Sequence, residues 1–329
     1  MDFTFSPEAG DAAALAAQVL AKEGVDAWSA LDEAGLLTLC LPERYGGAGL
    51  GLLEQGRVLV EVGRVVAPGA MTTHVAATRF LSEAGIELPG GRLTVGLSEP
   101  HDHLPDPPAV TFETGSLTGT KTLVRGGMDA DTVLVTASTP TGPGVFLVTG
   151  DLSRTAQRLS DGDTIATIDF DGTPATQVDG EVTRLEQLTV ALTCAEQLGV
   201  TEGALALTAA YAKTREQFGR PIGTFQAVAH RLADAHIDLL GQGLTLWQAL
   251  WRLDEGLPAA TEVATAKLWA ADAGHRIAHT TVHVHGGVGI DLDGEAHRYF
   301  TAAKRHELTL GGATEQALRI GRILATQPA

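Results

Sequence analysis

Residues 215–226 read Arg215-Glu216-Gln217-Phe218-Gly219-Arg220-Pro221-Ile222-Gly223-Thr224-Phe225-Gln226. A helical period runs into this stretch from Leu185 to Thr214, and another leaves it from Thr224 to Asp254. Two glycines and a proline between them predict a sharp helix–helix turn. The turn carries an arginine, the amides of Gln217 and Gln226, and two phenyl rings, Phe218 and Phe225. A guanidinium with amides beside it suits a diphosphate, and a phenyl face suits an adenine. The same residues also suit a plain helical hairpin whose Arg215 caps a carboxylate.

Working outward, Ala259–His283 and Thr314–Thr326 repeat the helical period. With the two segments around the turn they predict an antiparallel four-helix bundle over residues 184–329. Upstream the period changes. Residues 92–98, 109–113, 116–123, 132–137, 145–149 and 165–169 are short and β-rich, with Gly, Pro and Asp at hairpin spacing. They predict an antiparallel β-barrel or sandwich over residues 92–183. Residues 1–91 read helical at 12–22, 25–36, 52–66 and 71–84, with a glycine-dense loop at 41–51 and a break at Pro68-Gly69. The expected chain is therefore multi-domain α+β: an N-terminal helical domain, a middle β-domain and a C-terminal bundle.

A chain of 329 residues is long enough to bury a core without staples. Its 23 Lys and Arg against 40 Asp and Glu give a formal charge of −17. Such a surface repels nucleic-acid phosphates and anionic lipid, so neither is an expected partner. Met1–Gly10 lacks the basic and apolar regions of a secretory leader, and no apolar run reaches the ~18 residues that span a bilayer. The two cysteines, Cys40 and Cys194, sit among apolar neighbours and read as small buried hydrophobes in a reduced cytoplasm.

A second segment, His283-Val284-His285-Gly286-Gly287-Val288-Gly289-Ile290, closes the third bundle helix. Its glycines permit close backbone approach to a cofactor, or simply cap the helix. His275, His279 and His283 share one helical face, a spacing that can ligate a metal. No cysteine or clustered carboxylate completes a shell, so no metal is expected.

These two segments, in this order, resemble the acyl-CoA dehydrogenase family. The proline-glutamate-arginine-tyrosine-glycine-glycine loop at 42–47 and Gly119-Thr120-Lys121, followed by Asp129-Ala130-Asp131, fit it as well. The resemblance runs from about Trp28 to Arg322. It implies FAD held at a subunit interface, with one chain offering the isoalloxazine site and its neighbour the adenosine diphosphate half. On the second count Arg215, Gln217, Phe218, Gly286 and Gly287 match, Phe225 and Gln226 support them, and His283 stands where the family usually has glutamine.

The isoalloxazine half departs from the family. Leu97-Ser98-Glu99-Pro100 begins its motif, but His101-Asp102-His103 replaces the glycine-serine-aspartate turn. Thr122, Leu123 and Val124 stand where a tryptophan commonly packs on the flavin. The resemblance implies that the glutamate base removing the thioester α-proton belongs at Gly311, or in some members at Thr189. Neither is a carboxylate. Glu196, two turns after Thr189, and Glu307 and Glu315, four residues either side of Gly311, are the candidates for a relocated base.

The implied function is a subunit of a FAD-dependent acyl-CoA dehydrogenase that completes the FAD site of a second family subunit. It would act on an acyl-CoA thioester such as a steroid side chain, with an electron-transfer flavoprotein as acceptor. Short actinobacterial members that pair as α2β2 assemblies are similar. Two alternatives remain: a self-sufficient homo-oligomer with a relocated base, and a non-redox scaffold or acyl-CoA-binding protein.

Overall fold

A computed structural model describes residues 4–22 and 24–326. Four helices come first: α1 (Pro7–Leu20), α2 (Ala27–Glu33), α3 (Leu52–Arg64) and α4 (Met71–Glu83). Their starts are legible in the residues. Ser6 accepts from the Ala9 amide ahead of α1, with Pro7 at its first position, and Asp26 accepts from the Ser29 amide ahead of α2. The Gly51 amide donates to Glu54 at 2.9 Å to start α3.

Eight strands follow: β1 (Leu93–Gly96), β2 (Thr111–Glu113), β3 (Ser116–Arg125), β4 (Thr132–Thr139), β5 (Gly142–Thr149), β6 (Ser153–Arg158), β7 (Thr164–Pro174) and β8 (Thr176–Val178). They form one sheet in the order β6-β7-β3-β2-β4-β5-β8, with β1 alongside β4. Most pairings are antiparallel, but β1 and β2 each meet β4 in parallel. This departs from the all-antiparallel expectation, because the chain from β1 to β4 is long enough for a crossover. β6, unread in the sequence, is a polar edge strand pairing only with β7, so it shows no apolar alternation.

The remaining chain is helical: α5 (Val182–Thr214), α6 (Gln226–Asp254), α7 (Ala260–His285), α8 (Glu295–Leu308) and α9 (Ala313–Thr326). Where four helices were expected there are five. α8 was missed because its sequence is rich in charge, and its buried face is made of small residues such as Ala296, Ala302 and Ala303.

At 33 residues α5 is about 50 Å long. It packs against α3, α4, α6, α7 and α8. Its approach to α3 is backbone to backbone. A Cβ on Gly199 would strike the Val60 carbonyl, and one on Gly63 would strike the Glu196 carbonyl. Leu59, Leu81, Leu188 and Leu250 belong to the large apolar core around this helix, and Val124, Val133, Phe146 and Ile168 to a separate core in the β-region. Cys40 and Cys194 are buried as expected, and burial pushes both thiols up to about 12.

One buried ionic cluster ties the three regions together. Glu196 on α5 accepts from the Arg125 guanidinium at the end of β3 through both oxygens, at 2.5 and 2.8 Å, and from the Thr72 hydroxyl on α4 at 2.5 Å. Arg125 also reaches Asp163 at 3.2 Å, in the turn before β7. Arg305 on α8 pairs with Asp161 at 2.9 Å and with Asp163, and His306 Nε2 lies 3.4 Å from Glu196. Burial alone would raise the Glu196 carboxyl, but the Arg125 charge overrides it and holds the group well below the ordinary carboxylate range. Burial holds His306 down at about 4 and does the same to His74, whose Nδ1 accepts from the Leu93 amide.

Two outcomes follow from this packing. Gly199→Ala should lose about 1–3 kcal/mol by forcing α3 and α5 apart, read as a lower urea midpoint. The histidines give a pH dependence. Between pH 6.5 and about 4 the unfolded chain takes protons that buried His74 and His306 refuse, so stability should fall as pH falls through that window. Each contributes up to about 3 kcal/mol. The loss should be shallower in His306→Gln, and a urea midpoint constant from pH 7 to 4.5 would contradict the assignment.

Candidate functional site

The C-terminal end of α5 and the C-terminal end of α7 meet at one tip of the bundle. Tyr211, one turn before the end of α5, stacks on His285, the last residue of α7, with ring centroids 4.3 Å apart and planes at 21°. One turn deeper the Thr208 and Thr281 hydroxyls lie 3.1 Å apart. Two segments some 70 residues apart in sequence, 215–226 and 283–287, thereby share one end of the fold.

At this tip the expected turn is a small hairpin in which Glu216–Gln217 pairs with Arg220–Pro221. Arg215 follows α5 directly and is exposed, and its side chain has no hydrogen-bond or ion-pair partner among the described residues. The carboxylate-capping alternative is therefore not what the fold does with it. Gln217 is exposed and donates only to the neighbouring Glu216 carbonyl at 2.8 Å. Phe218 has a left-handed backbone, φ 52°, and is 94% exposed. A phenyl group so displayed has no role in this chain's own core. Phe225 meets it edge-on at 6.2 Å and carries the Arg220 guanidinium 4.3 Å above its ring. Gln226 opens α6 and points outward into solvent-exposed surface.

On the α7 side His283 is exposed. Gly286, at φ 65°, needs glycine for its conformation. Gly287 does not: its φ is ordinary, and a Cβ there would meet nothing within 4 Å. The missing side chain leaves space at an exposed backbone, which suits the approach of a group from outside the chain. An unpaired guanidinium, an orphan phenyl ring and a bare glycine backbone at one tip fit the diphosphate and adenine ends of FAD.

The family's ring-site motif falls at Leu97–Ser98 and Leu123, and there the structure leaves little room. Thr189, Thr193, Leu123, Leu310, Arg125, Arg305 and His306 surround a cavity of about 40 Å³, space for about one water. Thr189 donates to the Leu185 carbonyl, and no carboxylate among the described residues lines this cavity. The loop after α8 brings Leu310 to the cavity. Gly311 instead turns at φ 92°, and a Cβ there would strike Glu315. Leu310, an apolar side chain, lines the cavity next to Gly311, where the sequence puts the expected base position. Leu123 and Leu310 both hold left-handed backbone, φ 54° and 58°, a strained state for leucine.

The three candidate carboxylates are all engaged elsewhere. Glu196 is locked by Arg125. Glu307 accepts from Lys304 at 2.5 Å and contacts His275 at 3.1 Å. Glu315 accepts from the Gly312 amide at the start of α9. Glu99, in the replaced motif, is buried and holds Lys121 at 2.7 Å and the amides of Ala109 and Val110. As for the histidine face, His275 packs on His279 with centroids 4.4 Å apart, and no three His, Cys, Asp or Glu side chains among the described residues are grouped to hold a metal. Sequence reasoning missed Tyr211, His285, Arg125, Arg305 and Leu310. Only the i, i+4 placement of Tyr211 before Arg215 offered a signal.

Comparison with known proteins shows the family. A model of the acyl-CoA dehydrogenase N-terminal domain matches residues 9–87, and one of the C-terminal domain matches residues 187–324. Acyl-CoA dehydrogenase FadE27 of Mycobacterium tuberculosis is 45% identical, over 92% of this chain and 88% of that protein. FadE28 of the same organism is 34% identical over 98% of both chains. A chain in the crystal structure of the ChsE4-ChsE5 complex from Mycobacterium tuberculosis superposes with a TM-score of 0.89 at 40% identity, covering all of both chains. A chain of the Tcur3481-Tcur3483 steroid ACAD superposes at 0.90 with 35% identity, covering 97% of this chain and 98% of that one. On sequence and fold together, the chain belongs to the acyl-CoA dehydrogenase family.

Proposed function

We propose that this chain is the subunit of a hetero-oligomeric acyl-CoA dehydrogenase that completes the FAD site of a partner subunit without supplying the catalytic base. The observation that carries the reading is a contrast within one molecule. Arg215, without a side-chain partner among the described residues, and the displayed Phe218 stand at an exposed tip, while the chain's own ring site is a 40 Å³ cavity walled by Thr189 and Leu310. When bound, FAD supplies the hydride acceptor for α,β-dehydrogenation of an acyl thioester.

In this reading Arg215 holds the diphosphate through charge-assisted hydrogen bonds, and Gln217 and His283 add donors beside it. Phe218 offers its face to the adenine, steadied by Phe225. Gln226 sits at the N-terminus of α6, where its amide joins the polar rim. The Gly286 and Gly287 backbone leaves space for the diphosphate to approach. The partner, a second family subunit, brings the ring site, the base and the thioester pocket. Two similar structures whose names pair two chains, the ChsE4-ChsE5 complex and the Tcur3481-Tcur3483 steroid ACAD, support both a hetero-assembly and a steroid side-chain thioester as substrate. An exposed apolar stripe on α6, made of Ile237, Leu240 and Leu244, supports coverage by another chain. The reading takes an electron-transfer flavoprotein as acceptor and the cytoplasm as compartment. No helix among the described residues is long and apolar enough to cross a membrane.

The engaged states of Glu196, Glu307 and Glu315 weigh against the self-sufficient homo-oligomer. The unpaired Arg215 and displayed Phe218 weigh against a scaffold that has lost flavin, since neither side chain serves this chain's own fold.

Flavin content per chain tests the reading first. Expressed alone, the chain should purify without FAD, and in the complex isolated from its host it should carry FAD. One FAD per chain in the protein alone, bleached by an acyl-CoA, would overturn it. In the complex, Arg215→Ala should lower flavin occupancy several-fold with the fold intact, because a charge-assisted phosphate contact goes. Glu315→Gln should leave turnover nearly unchanged. A collapse of turnover with flavin still bound would instead make Glu315 the base.

A further inference from the structure

We infer that the Tyr211–His285 stack is a positioning device that sets the distance between the two halves of the adenosine-diphosphate grip, an inference that rests on the reading above. Neither residue is needed as a ligand contact. Each lies next to residues that are. Tyr211 is four residues before Arg215, and its carbonyl accepts the Arg215 amide at 2.9 Å, fixing where the turn leaves α5. His285 immediately precedes Gly286 and Gly287.

Three observations make the pair a joint rather than ordinary core. First, the His285 ring is fixed: Nδ1 lies 2.8 Å from the Thr281 carbonyl, and a carbonyl only accepts, so that nitrogen carries the proton and the ring cannot flip without losing the bond. Secondly, the turn bearing the glycines folds back onto it. A Cβ on Gly289 would lie 3.0 Å from the His285 Cβ and 2.8 Å from the Val282 carbonyl, so the backbone at Gly289 lies close against the base of this side chain. Thirdly, among the described residues no side-chain hydrogen bond or ring contact joins α5 to α7 further out than the stack. Beyond it come only the exposed hairpin and the glycine turn, and the next tie inward is the Thr208–Thr281 contact at 3.1 Å.

The consequence is geometric. Arg215 and Phe218 ride on the end of α5, and the open Gly287 backbone rides on the end of α7. A ligand spanning both gains from the two segments only if their separation is held before it arrives, because ordering them on binding costs affinity. Planar stacking of a half-buried phenol on a buried imidazole fixes that separation with little side-chain entropy left to lose.

The experiment tags this chain in its native host and purifies it with its partner subunit. The dissociation constant for FAD is then measured on the flavin-stripped complex by fluorescence quenching. Tyr211→Leu and His285→Ala should each raise it about five- to tenfold, the scale of one aromatic pair. Tyr211→Phe, which keeps the stack, should bind as the wild type does. A thermal midpoint of the stripped complex unchanged by these substitutions shows that the fold survives them. His285→Ala and Tyr211→Leu act from opposite sides, so one serves if the other does not assemble.

The deciding measurement is the double variant with Arg215→Ala. If the stack works by placing Arg215, Tyr211→Leu adds little once the guanidinium is gone. Fully additive losses, or a Tyr211→Leu complex that binds FAD normally, would overturn the positioning role while leaving the FAD reading in place. Normal FAD binding by Arg215→Ala alone would overturn both.

Discussion

A carboxylate with no water around it organises this molecule. Glu196 is buried on the longest helix, and burying a charge alone would cost several kcal/mol. The chain meets that cost with a guanidinium from β3, a hydroxyl from α4 and an imidazole edge from α8, so one residue forces three separately folded stretches to converge. The convergence works only because α5 can approach α3 at Gly63 and Gly199, within a residue spacing of Glu196 that keeps the carboxylate at the junction. Removing Arg125 would leave a buried charge unmatched, which is a larger penalty than the pair's own net worth.

The same cluster has a chemical consequence. It stands where the β-region faces the helices, the space in which the family's reacting groups belong. Arg125, Arg305 and His306 line the residual cavity and leave it about the size of a water. Leu123 and Leu310 close it with backbone held in left-handed conformations that leucine adopts only under constraint. The interior has therefore been given over to holding the fold together. At the far end of α5 the reverse holds: Phe218 stands out from the surface, and Arg215 has no side-chain partner among the described residues.

How far the residues announced this differs by element. The helices of the first region, the strands from β1 to β5 and the long helices α5 to α7 carry apolar periods strong enough to be read directly, and their observed bounds lie within a few residues of those expected. β6 and α8 were unread for one shared reason: each is a polar element that packs on one narrow face, so local hydrophobicity carries no signal for it. The adenosine-half residues were legible as a group because they cluster in two short segments. The ring-site half was less so. Its motif spacing puts the base position at Gly311, and glycine has no side chain to place in the cavity that the adjacent Leu310 lines.

The sequence by itself determined the three-part order of the chain, the family, the residues available to grip a diphosphate and the lack of a carboxylate at the expected base positions. Those are local properties of period, spacing and residue type. Tertiary structure alone decided that the Arg215 side chain has no partner among the described residues, that Tyr211 and His285 bring two distant segments to one tip, and that Glu196 is held by Arg125. Each of these depends on what lies across a contact between residues roughly 70 or more positions apart. A charge's role is set by its neighbours in space, through burial and pairing, and sequence spacing carries no record of them.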